Sequence, residues 1–257
     1  MTNTDKLEII DNCQKLLAAY EDGSIGNTIM PEDSSPDFTD AQQEERLVYF
    51  TLPMALNYQR NSYKLWESAL ETWNDKETKD VFSIMSSALM SEDELRTKLL
   101  KYKVALQPNK HIATWQRVSQ TIYENWQTVS GLIRATDNDY LKLRDIIQGS
   151  HKKQFPYLSG PKIFNYWSFI ISTYGGVPLS NREYIEIAPD THVTKCSVLL
   201  GVINDEEAIK LTKDQISTRW REILDGTGIS PIDMHPPLWF WSKNDFAFRL
   251  NDRSENS

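Results

Sequence analysis

Apolar residues recur at helical spacing along most of this chain, and strand-like alternation is scarce. In NKHIATWQRVSQTIYENW, the residues Ile112, Trp115, Val118, Ile122 and Trp126 fall at steps of three and four, which sets them on one face of a helix. Leu7, Ile10, Leu16 and Leu17 give the first segment a similar stripe. A further helix is expected from near Asp40 through ERLVYFTLPMALNYQ, with Pro53 placed to kink or split it. Another is expected over SYKLWESALETWN. A chain with this period must bury helix against helix, so the expected class is all-α. Its 257 residues suit one large domain or two lobes sharing a cleft.

Turn chemistry sets the breaks. Gly23 is suited to close the first helix. Residues 23–40 (GSIGNTIMPEDSSPDFTD) read as a long loop, of a length that is often functional or mobile. Three or four more helices are expected over 77–135. One of them, MSEDELRTKLLKYK, is expected to be capped by Ser91, with Glu94 as the reciprocal partner of a capping box.

Bulk properties narrow the function classes. A formal charge of −8 and a pI near 5.1 argue against a protein that coats DNA non-specifically. They leave room for a local basic face. Two cysteines, Cys13 and Cys196, provide no disulfide framework and exclude a four-cysteine iron–sulfur cluster within this chain. The four histidines show no close ligand spacing with them, so no metal site and no cofactor are expected. The start MTNTDKLEII lacks the apolar run of a secretion signal. No segment reaches the ~18 uninterrupted apolar residues of a membrane span. The expectation is a monomeric, cytoplasmic, nucleoid-associated protein of a prokaryotic cell, with no membrane partner.

The most informative stretch begins at residue 137. DNDYLKLRDIIQG has a helical pattern with aspartates at its start, SHKKQFPYLSGPK follows, and KIFNYWSFIISTYGG reads as a strongly apolar helix. This is a helix, a short glycine-containing hairpin and a second helix with Lys162 at its entrance. Gly160 is expected to let the backbone approach a phosphate, with Ser159 beside it and free N–H groups at the next helix start pointing outward. Lys142, Arg144, His151, Lys152 and Lys153 form the most basic neighbourhood of an acidic chain, a place to grip a strand. A second anchor is PDTHVTKCSVLLGV, in which Asp190 stands as N-cap before apolar Val193, Cys196, Leu199 and Leu200. Taken singly, Asp190 suits a plain helix cap, Lys162 a surface lysine, and His192 a core or surface histidine.

Together these segments resemble a known family. FPYLSGPKIFNYW followed by IAPDTHVTKCSVLLGV is similar to the helix-hairpin-helix, Gly/Pro-Asp superfamily of DNA glycosylases, in particular to the archaeal-type GO branch that excises 8-oxoguanine and has lyase activity. DTHV at 190–193 is the most specific piece, and KIFNY at 162–166 is close to that branch's lysine helix. The resemblance also takes in TGISPIDMHPPLWFW and, more weakly, ERLVYFTLPMALNYQRNSYKLWESAL. It covers residues 44–75 and 137–245, and leaves 77–135 unmatched. It implies a single bilobal all-α glycosylase unit over 1–257, with about 137–225 carrying the helix-hairpin-helix and the catalytic aspartate, and a cleft between the lobes.

The resemblance also implies roles. Lys162 is the nucleophile that attacks the anomeric carbon, and Asp190 is the carboxylate that stabilises the positive charge developing on the sugar. Trp239 stacks on the extruded base, Tyr166 lies one helical turn after the lysine, and Trp66 stands as a pocket tryptophan. Gly160, Ser159, Lys152 and Lys153 hold the DNA backbone, and the partner is double-stranded DNA containing a modified base. One departure bears on the substrate. His235 occupies the position of the branch's base-reading aspartate, and a neutral histidine offers a donor and an acceptor where an aspartate only accepts. 8-Oxoguanine is the first substrate implied. A modified cytosine in foreign phage DNA, as in antiviral defence, is an alternative, and so is a non-catalytic DNA-binding protein with the same fold. Hydrolysis alone and glycosylase plus β-lyase action both stay open.

Overall fold

The computed structural model describes residues 3–250. Among these residues the chain is all-helical. Thirteen α-helices are joined by loops and short 3-10 turns, with one isolated bridge between Asp139 and Ser180 and no strand. In chain order they are α1 (Asn3–Glu21), α2 (Gln43–Ala55), α3 (Ser62–Asn74), α4 (Ile84–Leu89), α5 (Glu92–Lys101), α6 (Pro108–Trp126), α7 (Val129–Ala135), α8 (Tyr140–Arg144), α9 (Pro161–Thr173), α10 (Thr191–Leu199), α11 (Asp205–Lys210), α12 (Lys213–Leu224) and α13 (His235–Lys243). No described helix is long and apolar enough to cross a membrane.

The chain divides into two compact units. A central unit comprises Met30–Asn181, and a terminal unit combines Met1–Ile29 with Arg182–Ser257. The division falls inside the 137–225 stretch, so the hairpin belongs to the central unit and the DTHV segment to the terminal one.

The central unit is built on α2. Every residue from Leu47 to Ala55 is buried, because α3, α6, α7 and α9 all pack on this helix. Pro53 lies in the last turn, and the helix runs through it to Ala55, so it does not split it. Tyr49, Phe50, Trp66, Trp73 and Phe82 form an aromatic cluster with centroids 5.3–5.9 Å apart. The Trp167 indole N–H donates to the Thr51 hydroxyl at 3.1 Å, satisfying a polar atom that burial would otherwise leave costly. On α6 the expected stripe is buried at Ile112, Trp115, Val118 and Ile122, while Trp126 is half-buried.

The terminal unit packs α10 and α1 against α13, and α1 against α12. The Trp220 indole donates to Ser197 Oγ at 2.9 Å, and the Cys196 thiol donates to the Leu238 carbonyl at 3.1 Å. Cys13 and Cys196 are both free and buried. Burial pushes each thiol up to about 12.

Several local expectations are corrected. The buried stripe of α1 runs through Ile9, Asn12, Cys13, Leu16 and Ala19, while Leu7 is 61% exposed and Ile10 and Leu17 are half-buried. Helix phase depends on what the helix packs against, and α12 and α13 select a face rotated from the one its leucines mark. Of the four apolar positions expected around α10, Val193, Cys196 and Leu200 are buried, and Leu199 is 60% exposed. Ser91 caps α5 by accepting the Glu94 N–H, but the Glu94 carboxylate reaches forward to Lys98 at 3.1 Å rather than back to the cap. The 23–40 stretch is not a plain surface loop. Ile25, Met30, Pro31 and Glu32 are buried in it, and Pro31–Ser34 forms a 3-10 turn.

Candidate active site

The hairpin and its following helix come first. After α8 the backbone widens into a π-helical turn, Asp145–Ser150, and a 3-10 turn, Lys152–Gln154, leads to buried Phe155. The tight point that follows is at Tyr157, which takes φ of +59°, a left-handed conformation that costs a residue with a Cβ. Its ring is held by stacking on Tyr58, with centroids 4.8 Å apart. Gly160 is extended, with φ of −67°. The Ser159 N–H donates to Phe155 O and the Gly160 N–H to Tyr157 O, each at 2.9 Å. The glycine leaves room for the Tyr157 carbonyl, which lies 3.1 Å from where a Cβ would stand, a tight but not forbidden approach. The Gly160 N–H is spent inside the hairpin, so any donors offered to a phosphate come from the first turn of α9.

Pro161 opens α9 without demanding an N–H, and Lys162 follows, exposed in the first turn. Lys152 and Lys153 are also exposed. Lys142 is not part of a free basic patch, because it pairs with Asp137 at 2.5 Å. Arg144 lies over the Tyr140 ring at 6.0 Å.

One turn after Lys162, half-buried Tyr166 points toward a carboxyl that the sequence did not single out. Glu32, on the Pro31–Ser34 turn, is 0% exposed, and among the described residues neither of its carboxyl oxygens has a hydrogen-bond partner. The turn packs on α3, which brings in Trp66, 1% exposed, whose indole N–H is likewise unpartnered. Asp33 holds the turn in place by accepting from the Met30 N–H at 2.7 Å and from the Tyr174 hydroxyl at 3.0 Å. Burial pushes the Glu32 carboxyl up to about 7. The like charge of Asp33 adds to this, while its own backbone, the Tyr166 hydroxyl and the Trp66 indole favour the ionised form without satisfying the oxygens. Two aromatic residues implied for the base pocket, Tyr166 and Trp66, thus meet at one buried acid.

The remaining candidates lie in the terminal unit. Asp190 is the N-cap of α10, with Oδ1 accepting the Val193 N–H at 2.9 Å and its carbonyl accepting from Thr194. His192 Nδ1 lies 3.0 Å from Ser242 Oγ, and its ring meets the Trp239 ring edge-on at 5.5 Å. Trp239 is half-buried, and the Lys243 ammonium sits 4.4 Å from its centroid. His235 opens α13, half-buried, four residues before Trp239. Nearby Asp233 is engaged by Arg182 at 2.5 Å. Among the described residues no group of three or more His, Cys, Asp or Glu side chains is arranged to hold a metal ion.

Glu32 is the residue that sequence reasoning missed. It sits in PEDSS, whose acidic and turn-forming residues read as solvated, and only the packing of the turn against α3 buries it. A proline directly before it was the sole local hint of a fixed turn. No protein-family model matches the chain, and no curated protein matches it.

Proposed function

We propose that this chain is a DNA glycosylase of the helix-hairpin-helix, Gly/Pro-Asp class, which extrudes a damaged or modified base from duplex DNA and cuts its glycosidic bond. The supporting observation is the convergence at α9: an exposed lysine in the first turn after a tight hairpin, and one turn later a tyrosine that shares a buried acid with Trp66. An extruded base needs an aromatic wall and a few fixed polar groups. A reactive amine belongs next to it.

In this reading the Lys162 amine, once deprotonated, attacks C1′ of the sugar. The C1′–N bond breaks, and the base leaves with the bonding pair and takes up a proton. The C1′–O4′ bond then breaks, O4′ takes up the proton that the amine gives up, and the C1′–N bond to Lys162 becomes a Schiff base through which β-elimination of the 3′ phosphate can proceed. Asp190 supplies negative charge for the oxocarbenium character of the transition state. Lys152 and Lys153 contact backbone phosphates. An amine and a carboxylate carry the whole sequence, with no metal or organic cofactor. A non-catalytic DNA-binding protein is the second reading, favoured by the net charge of −8.

Borohydride trapping separates the two. Duplexes carrying 8-oxoguanine, uracil, an alkylated purine or a modified cytosine are incubated with protein and reductant. The glycosylase reading expects base release from one of them and a covalent complex that disappears in Lys162→Ala. Absence of both release and trapping on every duplex supports the binder.

A further inference from the structure

A buried carboxyl with two unpartnered oxygens is costly unless something binds it. Neither Glu32 oxygen finds a well-aligned partner among the described residues; its own N–H, the Tyr166 hydroxyl and the Trp66 indole N–H only lean toward it, and the one charge acting on it is that of Asp33, of like sign. An ionised carboxylate in that setting lacks the compensation that buried charges require. The neutral acid is the form the site favours, and it presents one O–H donor beside one carbonyl acceptor. Trp66 adds a second donor next to it, turned toward the acid but without a well-aligned partner. Half-buried Tyr166 is the member of the group that reaches the surface, on the helix that carries Lys162.

The ligand complementary to this set has an adjacent donor and acceptor, and a further acceptor for the indole N–H. Pyrimidines meet that demand. Cytosine offers its amino group, N3 and O2, and uracil offers O4, N3–H and O2. Adenine has a C–H where the last acceptor is needed. The guanine edge ends in an amino group, which would face the indole donor with another donor. We propose that Glu32 and Trp66 together read the Watson–Crick edge of the extruded base, and that this base is a modified pyrimidine rather than an oxidised purine. The assignment rests on the glycosylase reading and names its substrate class.

The test is equilibrium binding of the full chain to duplexes with one non-cleavable 2′-fluoroarabino nucleotide, bearing 5-hydroxymethylcytosine, uracil or 8-oxoguanine, against an unmodified control. The wild type is expected to hold a pyrimidine-bearing duplex at least tenfold tighter than the 8-oxoguanine one. Glu32→Gln keeps a donor and an acceptor and should retain the preference within about threefold. Glu32→Leu and Trp66→Phe should lose it, read for each variant as the ratio to its own control-duplex binding, and Trp66→Phe keeps the test decisive should Glu32→Leu fail to fold. A wild-type preference for 8-oxoguanine, or a pyrimidine preference untouched by both Glu32→Leu and Trp66→Phe, overturns the assignment alone if borohydride trapping at Lys162 still succeeds. A wild type that neither discriminates among the duplexes nor traps overturns the glycosylase reading and this assignment with it.

Discussion

Oδ1 of Asp190 accepts the backbone N–H of Val193 at 2.9 Å, so the carboxylate assigned to charge stabilisation also closes the open end of α10. The two duties are separable by substitution. Asparagine is as good an N-cap as aspartate, whereas alanine forfeits about 1 kcal/mol. Asp190→Asn should therefore unfold at the wild-type urea midpoint yet lose base release by at least a hundredfold. Asp190→Ala should lose both. Wild-type base release by Asp190→Asn would reduce this residue to a cap.

Glu32 gives the fold a pH dependence whose sign is fixed. Its carboxyl titrates near 7 in the folded chain against an ordinary 4.5. The folded state thus binds the extra proton, and the associated stability is complete below pH 4.5 and drains away as pH rises to 7. The span corresponds to about 3 kcal/mol, an order-of-magnitude figure for so buried a group. Urea midpoints of the wild type should fall between pH 5 and pH 8, and Glu32→Gln should remove most of that fall. Equal slopes in the two proteins would place Glu32 in water.

Lys152 and Lys153 stand exposed before the hairpin. If each neutralises one phosphate, the double alanine variant should weaken binding to duplexes of any sequence. The slope of log K against log salt should become shallower by about 2, close to 0.9 per lost contact. Lys142→Ala should leave the slope nearly unchanged, because its ammonium is engaged by Asp137. A slope indifferent to Lys152 and Lys153 would remove them from the DNA interface.

How far the sequence reveals this molecule depends on whether the deciding forces are local. α3 occupies the SYKLWESALETWN segment expected of it, because its period and its Asn61 cap agree. Asp190 and Ser91 cap their helices as their spacing indicates. The face of α1 and the exposure of Leu199 depend on neighbours distant in sequence, which no window of residues contains, while the forward reach of Glu94 to Lys98 is a local choice between two partners. The hairpin is a mixed case. The sequence marks the glycine, which has an ordinary extended φ, while the left-handed residue of the hairpin is Tyr157, a position that nothing local marks. Glu32 was illegible for a stronger reason. An acidic residue in a Pro- and Ser-rich segment looks like solvent-facing coil, and only long-range packing against α3 turns it into the most perturbed carboxyl described.

The placement of the two cysteines has a practical consequence. Both lie in the terminal unit, and the central unit contains none. Each thiol is shielded and held protonated, so an alkylating reagent finds no reactive sulfur until that unit opens. The rate of carboxymethylation is thus a natural clock for the breathing of one half of the chain, readable without any label while the other half stays silent.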